Sequence, residues 1–200
     1  MKDSYLTIAC PSSEILFKEK NSKFFGYAFP VTSEEDVKNC LDDLKKEHNS
    51  ARHFCYAYQI GTEEKQYRVN DDGEPNNSAG MPIYGQIQSF DVTNILIVII
   101  RYFGGTKLGV GGLISAYKTS AQMTLETAEI IKKTIDIEYK ISFDYKNMNK
   151  VMRVIKEKNL DIVSQTMNES CEIIISTRKK NAEMIFDIFN NLFEIEVTQL

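Results

Sequence analysis

Short runs of alternating apolar and polar residues open the chain: SYLTIAC (4–10), EILFKEK (14–20) and SKFFGYAFPV (22–31), each rich in β-formers and closed by polar turn residues. Period-two alternation of this kind predicts strands, and the three are expected to form an antiparallel start. The period then changes. In TSEEDVKNCLDDLKKEH (32–48), Val37, Cys40, Leu41 and Leu44 recur at helical spacing. Thr32 or Ser33 is placed to cap this helix. Acids fill its first turn, and lysines and His48 its last, an order that suits the helix dipole. ARHFCYAYQIG (51–61) returns to alternation and predicts a strand ending at Gly61.

DDGEPNNSAGMP (71–82) is turn chemistry from end to end. It leads into a predicted helix over AGMPIYGQIQSF (79–90), with Pro82 in the first turn. NILIVIIRYF (94–103) is a continuous apolar, β-branched run and predicts a strand buried on both faces. A glycine-rich stretch separates it from a helix over LISAYKTSAQMTLETAEI (113–130).

After residue 130 the pattern restarts. TIDIEYKISFDY (134–145) alternates as a strand, and KNMNKVMRVIKEKN (146–159) is amphipathic, with Met148, Val151, Met152 and Ile155 on one helical face. LDIVSQTM (160–167) and SCEIIISTR (170–178) read as two strands joined by NES, followed by a helix over KNAEMIFDIFNNL (180–192) and a strand over FEIEVTQL (193–200). The order is βαββαβ, the ferredoxin-like split βαβ arrangement. The boundary falls near Lys132 and Lys133, and charge supports two units. Residues 1–130 hold 13 Lys/Arg against 17 Asp/Glu, and the remaining residues hold 11 against 11.

Composition limits the function classes. A hydrophobic fraction of 42% with a formal charge of −4 suits a packed globular chain rather than a disordered one, and excludes a uniformly basic surface. MKDSYLTIAC has no apolar core of the kind a signal peptide needs, and the run 95–100 is too short to span a bilayer, so no membrane association is expected. Cys10, Cys40, Cys55 and Cys171 are scattered without a CxxC pair, which fits reduced thiols in the cytoplasm. With two histidines and no clustered ligands, no metal and no cofactor are expected.

Candidate chemistry concentrates in RYFGGTKLGVGGLISAY (101–117). It holds Gly104, Gly105, Gly109, Gly111 and Gly112, half of the ten glycines in the chain. Glycine permits positive φ and lets another group approach the backbone. A helix N-terminus adds unpaired amides and positive dipole, and together these favour an anion such as phosphate. Arg101, Lys107 and Lys118 are placed to add positive charge, and residues 92–125 contain no acid at all. Tyr102 and Phe103 are candidates for stacking bases, although alternation is expected to bury one of them. The segment is neither a P-loop nor a GxGxxG fingerprint, and tight packing of helix on sheet is the other use for its glycines.

Asp71, Asp72 and Glu74 admit three readings: a turn stabilised by their own side chains, a magnesium site, or salt bridges to Arg101 or Lys107 that hold the glycine loop. His48 and His53 are possible acid–base residues, with Cys55 two positions from His53 on the same strand face. No nucleophile spacing accompanies them, and a partly buried histidine at a strand edge is the simpler reading.

DDGEPNNSAGMP followed by VIIRYFGGTKLGVGGLISAY (98–117) resembles the YigZ family, the bacterial relatives of the IMPACT protein N-terminal domain. NSKFFGYAFPV (21–31) and EHNSARHFCYAYQIG (47–61) match its pattern too, so the resemblance covers nearly the whole chain. It implies an α+β protein of two domains. Residues 1–131 are expected to form the Impact-type domain, with a fold like ribosomal protein S5 domain 2. Residues 132–200 are expected to form a ferredoxin-like βαββαβ domain similar to the last domain of elongation factor G. The family pattern has arginine where this chain has Ser115, one positive charge more on the helix after the glycines, and threonine where it has Ser78.

The resemblance also implies a role in translation. Eukaryotic IMPACT regulates translation by competing for a partner of a stress-activated initiation-factor kinase, while bacterial members have no settled activity. The leading expectation is a cytoplasmic, non-enzymatic regulator of translation, contacting RNA, the ribosome or a ribosome-associated protein through Arg101, Lys107, Lys118 and the glycine loop. The rival is a phosphate- or nucleotide-binding enzyme on the S5-like fold, with the DDGEP acids holding magnesium. A protein–protein adaptor is a third reading.

Overall fold

A computed structural model describes residues 3–167 and 171–200; the NES connection expected at 168–170 lies outside them. The chain divides into two compact units, one of Tyr5–Lys133 and one of Thr134–Leu200 joined by the first residues up to Ser4.

The elements of the first unit are β1 (Ser4–Ile8), β2 (Ile15–Glu19), β3 (Ser22–Pro30), α1 (Glu34–Glu47), β4 (His53–Ile60), β5 (Gln66–Asn70), α2 (Gly80–Ser89), β6 (Ile95–Tyr102), α3 (Gly109–Thr127) and β7 (Ile130–Thr134). Five strands form one sheet in the order β2-β3-β6-β4-β5, with every neighbouring pair antiparallel. The β2–β3 hairpin turns on Lys20 and Asn21, both with positive φ. That is the geometry of a two-residue primed turn, whose twist matches the flanking strands.

The continuous apolar run becomes β6, the central strand. Residues 95–100 are all fully buried, and each such aliphatic side chain contributes about 1.5–3 kcal/mol on burial. Its alternation feeds two cores. Ile95, Ile97 and Ile99 join Phe24, Ala28, Cys55 and Ala57 in the core that includes α2 and α3 residues. Leu96, Val98 and Ile100 join Tyr27, Phe54 and Tyr58 in the core that includes Val37, Leu41 and Leu44 of α1. Ser33 caps α1 with a full capping box to Asp36.

Two features differ from the sequence expectation. First, β1 does not join the opening hairpin; it pairs with β7 in a separate two-stranded sheet. Leu6 forms a bridge with Val92, and the Thr93 amide donates to the Leu6 carbonyl at 2.9 Å. Second, β5 was not expected, although QYRVN alternates, with Tyr67 stacked on Tyr84 and Val69 against the core. It is a short edge strand whose residues are exposed or half-buried, held by pairing from Tyr56↔Asn70 to Ile60↔Gln66.

The second unit contains β8 (Asp136–Phe143), a 3-10 turn at Tyr145–Asn147, α4 (Met148–Glu157), β9 (Asp161–Met167), β10 (Cys171–Arg178), α5 (Lys179–Asn190) and β11 (Ile195–Gln199). Its sheet runs β11-β8-β10-β9, antiparallel throughout, which is the ferredoxin-like βαββαβ arrangement. Tyr139, Ile141 and Phe143 alternate into a core with Val151, Ile155, Ile173, Ile175, Ile185 and Phe189. The strand expected over 134–145 is β8; β7 precedes it unexpectedly, taking Thr134 from the expected span, and the two are separated at Ile135. The Ile135 amide donates to the Asp3 carbonyl and its own carbonyl accepts from Lys179. Among the described residues, no helix is long and apolar enough to cross a membrane.

Candidate anion-binding site

The site starts from strand parity. Arg101 follows Ile95, Ile97 and Ile99 on the α2/α3 side of β6, so its side chain enters the core rather than solvent. It is 5% exposed. Nη1 donates to Glu74 Oε1 at 2.7 Å, Nη2 donates to Ser22 Oγ at 3.3 Å, and Cζ lies 5.6 Å and 5.5 Å from the Phe24 and Phe103 ring centroids. Glu74 Oε1 also accepts from the Tyr117 hydroxyl at 2.8 Å. The sequence offered Arg101 as an open cation and, alternatively, as a salt-bridge partner of the DDGEP acids, and the pair with Glu74 matches the second. As a correction to the first reading, its charge is neutralised internally, and it braces the end of β6 against the 71–78 loop and α3.

Cys55 closes the cluster, its thiol donating to the Asp71 carbonyl at 3.0 Å and lying 3.3 Å from the Tyr117 oxygen. Burial pushes the Cys55 thiol and the Tyr117 phenol well above their ordinary pKa values. Both are protonated at neutral pH, so Cys55 is not a thiolate nucleophile.

Each acid of the DDGEP segment has an internal partner. The Asp71 carboxylate accepts from the amides of Asn77 at 2.8 Å, Ala79 at 3.0 Å and Gly80 at 2.8 Å. It therefore caps α2, whose own N-cap residue Ala79 supplies no side-chain bond. Asp72 Oδ2 accepts from the Phe54 amide at 2.6 Å, and Glu74 pairs with Arg101. Among the described residues the three carboxylates do not converge as a metal-ligand group; each is held by its own partner. Ser78, fully buried, donates to the Pro75 carbonyl at 2.6 Å.

The glycine stretch divides into a packed half and an open half. The Gly104 amide donates to Ser22 Oγ at 3.2 Å, and a Cβ there would lie 2.0 Å from the Asn21 carbonyl carbon. Gly104 is therefore demanded by packing. Gly105 and Gly109 have φ of 88° and 74°, and a Cβ on either, or on Gly111, would meet nothing within 4 Å. Gly112 faces Leu108 of the same turn. Leu108, the N-cap of α3, makes no side-chain cap bond, and the first turn has no acid. The amides of Gly109, Val110 and Gly111 have no intrahelical acceptor.

Lys107 is exposed beside this open turn, and Lys118 is exposed further along α3. Lys118 lines a groove of about 540 Å³ between α2 and α3, with Pro82, Gly85, Gln86, Ile114 and Gln122 among its walls and no acid. Of the two aromatic candidates, Phe103 is 55% exposed. Tyr102 points to the α1 side, its hydroxyl 3.0 Å from His48 Nδ1.

The histidines are not together. His48 is buried at the C-cap of α1, not at a strand edge, with Nε2 2.7 Å from the Tyr27 hydroxyl. His53 opens β4 and donates from Nδ1 to the Asp72 carbonyl at 2.9 Å. The site residues without a sequence signal are Ser22 and Tyr117; Cys55, noted for its position near His53, turns instead to Asp71 and Tyr117. Tyr117 shares helical spacing with Leu113 and Ala116, so nothing in its pattern separates it from ordinary core.

A model of the Impact N-terminal domain matches residues 20–125. A Haemophilus influenzae protein named as an IMPACT family member is 32% identical over 177 residues, covering 86% of this chain and 86% of that protein. The Bacillus subtilis IMPACT family member YvyE is 29% identical over 204 residues, covering 100% and 94%. A crystal structure described only as that of a hypothetical protein superposes with a TM-score of 0.76 at 23% identity, over 100% of this chain and 98% of that one, a likeness of fold.

Proposed function

Because this chain belongs to the Impact N-terminal domain family, we propose that it is a translation-linked binding protein that contacts RNA, free or in the ribosome, through the open half of the glycine stretch. Family membership supports the link to translation. The observation that carries the contact surface is the uncovered start of α3. Gly105, Gly109 and Gly111 leave the backbone approachable, no side chain caps the helix, and Lys107 stands beside it. Phosphate suits such a terminus, since unpaired amides and dipole act together.

Positive charge at the surface comes from Lys107 and Lys118, not from Arg101. Phe103 offers an exposed ring on which a base can stack. The work is proposed to take place in the cytoplasm and to need no cofactor.

Salt-dependent binding of a fluorescent single-stranded RNA tests this reading. The wild-type affinity falls with salt, and Lys107→Ala lowers both the affinity and the salt slope, the slope by about one. Equal affinity and slope in Lys107→Ala overturn the surface. A rise in thermal stability with ATP and Mg²⁺, about 2.7 kcal/mol at a hundred times the dissociation constant, favours the enzymatic alternative.

A further inference from the structure

On the opposite side of the sheet from the glycine turn, Glu14, Glu47 and His48 each bring one ligand-type atom to within 4.8 Å of the others. Glu14 directly precedes β2; Glu47 and His48 are the last residue and the C-cap of α1.

Three observations make this cluster unlike an ordinary polar surface. Neither carboxylate takes part in an ion pair among the described residues, so two like charges converge without compensation from the chain. Glu47 also breaks the charge order of its helix. Glu34, Glu35 and Asp36 occupy the first turn and Lys45 and Lys46 the last, as the dipole favours, yet Glu47 puts a carboxylate at the negative end. A cation at that end satisfies both the carboxylates and the dipole.

The third observation is the imidazole. His48 is 8% exposed and its ring is fixed on every side. Nδ1 lies 3.0 Å from the Tyr102 oxygen, Nε2 lies 2.7 Å from the Tyr27 oxygen, and the ring packs 5.4 Å from Phe25. The Tyr27 hydroxyl in turn donates to Glu14. With its one proton given to Glu14, the Tyr27 oxygen accepts from Nε2–H; an ion at Nε2 displaces that proton and leaves Nδ1–H to donate to the Tyr102 oxygen behind it, the bond by which metal-binding histidines fix tautomer and orientation.

We propose that Glu14, Glu47 and His48 form a binding site for a divalent first-row transition ion of the zinc type. One imidazole nitrogen and two carboxylates suit a borderline ion better than magnesium or calcium, which take oxygen ligands alone. In the bound form His48 carries its proton on Nδ1, donates it to the Tyr102 oxygen, and turns Nε2 to the ion. Tyr27 gives up its contact with Nε2 and keeps its hydrogen bond to Glu14. The site is independent of the RNA-binding reading, and either can fail without the other.

The test uses the untagged full chain, stripped with a chelator and titrated with Zn²⁺ by calorimetry and with Co²⁺ followed by absorption and imidazole NMR. The chain has two histidines, so their ring signals separate readily. The expected result is saturation at one equivalent, with Co²⁺ moving the His48 ring and leaving His53 in place. Glu14→Gln and Glu47→Gln, both at exposed positions, each weaken zinc binding at least tenfold, and Tyr102→Phe weakens it by about tenfold. The proposal is overturned by an absence of saturable binding, by zinc affinity unchanged in both glutamine variants, or by Co²⁺ shifting His53 alone.

Discussion

Arg101 Nη1 stands 2.7 Å from Glu74 Oε1, with the two side chains 6% and 5% exposed. The pair joins the end of the central strand to the 71–78 loop, and Tyr117 extends it to α3. Its cohesion explains how a glycine-rich turn stays in place without side chains of its own. Removing one partner leaves a buried charge unpaired, so Glu74→Gln is expected to cost about 3–5 kcal/mol. Urea unfolding checks this: the midpoint falls while the slope is unchanged. Pairing Glu74→Leu with Arg101→Met restores most of the loss, because no charge is then stranded. A single-variant loss under about 1 kcal/mol would contradict the brace.

The two halves of the glycine stretch respond oppositely to alanine. Gly104→Ala drives a methyl group into the Asn21 backbone and lowers stability by at least about 1–3 kcal/mol. Gly111→Ala meets open space within a helix and raises stability by about 0.5–1 kcal/mol, while placing a methyl group in front of the free amides. Melting curves of the two variants, read beside their RNA affinities, separate packing from contact.

Alkaline pH tests the buried tyrosines of the first unit. Burial, then the hydrogen bond to Glu34, pushes Tyr58 up to about 12. Burial moves Tyr27 and Tyr117 the same way. A phenol whose pKa is raised in the fold contributes stability that is fully present below about pH 10, its unfolded value, and is lost as pH rises through the folded value. Unfolding free energy is therefore expected to fall between pH 10 and about 12, less steeply in Tyr58→Phe. Phenolate absorption that rises for all ten tyrosines near pH 10, with the fold intact, would refute this.

The capping box of α1 gives a local test. Ser33→Ala removes the bond to the Asp36 amide and is expected to cost about 1 kcal/mol. The same variant should lift the Asp36 pKa from its depressed position, which the backbone bond from Thr32 and the Ser33 hydroxyl help maintain. NMR titration of the Asp36 carboxyl reads that change.

Much of the fold was legible because its signals are local. Period-two runs marked β2, β3, β4 and β8, the unbroken run 95–100 marked a strand buried on both sides, and Ser33 with Asp36 marked the start of α1. What escaped depends on long-range pairing. Edge strand β5 is five residues long with only Tyr67 and Val69 on its inner face, and the partner of β1 lies more than a hundred residues away. At the site, the chain disclosed the glycines and both lysines, but the environment of Arg101 follows from strand parity combined with the position of Glu74. The convergence of Glu14 on the end of α1 is invisible in one dimension.

The open amides themselves give the most direct test of the proposed contact surface. In an ¹H–¹⁵N NMR titration of the full chain with a short single-stranded RNA at low salt, the amides of Gly105, Gly109, Val110 and Gly111 are expected to shift first and furthest. Gly104, already donating to Ser22, should change little. Saturable RNA binding that leaves those four amides unmoved would contradict the claim that the start of α3 receives the phosphate.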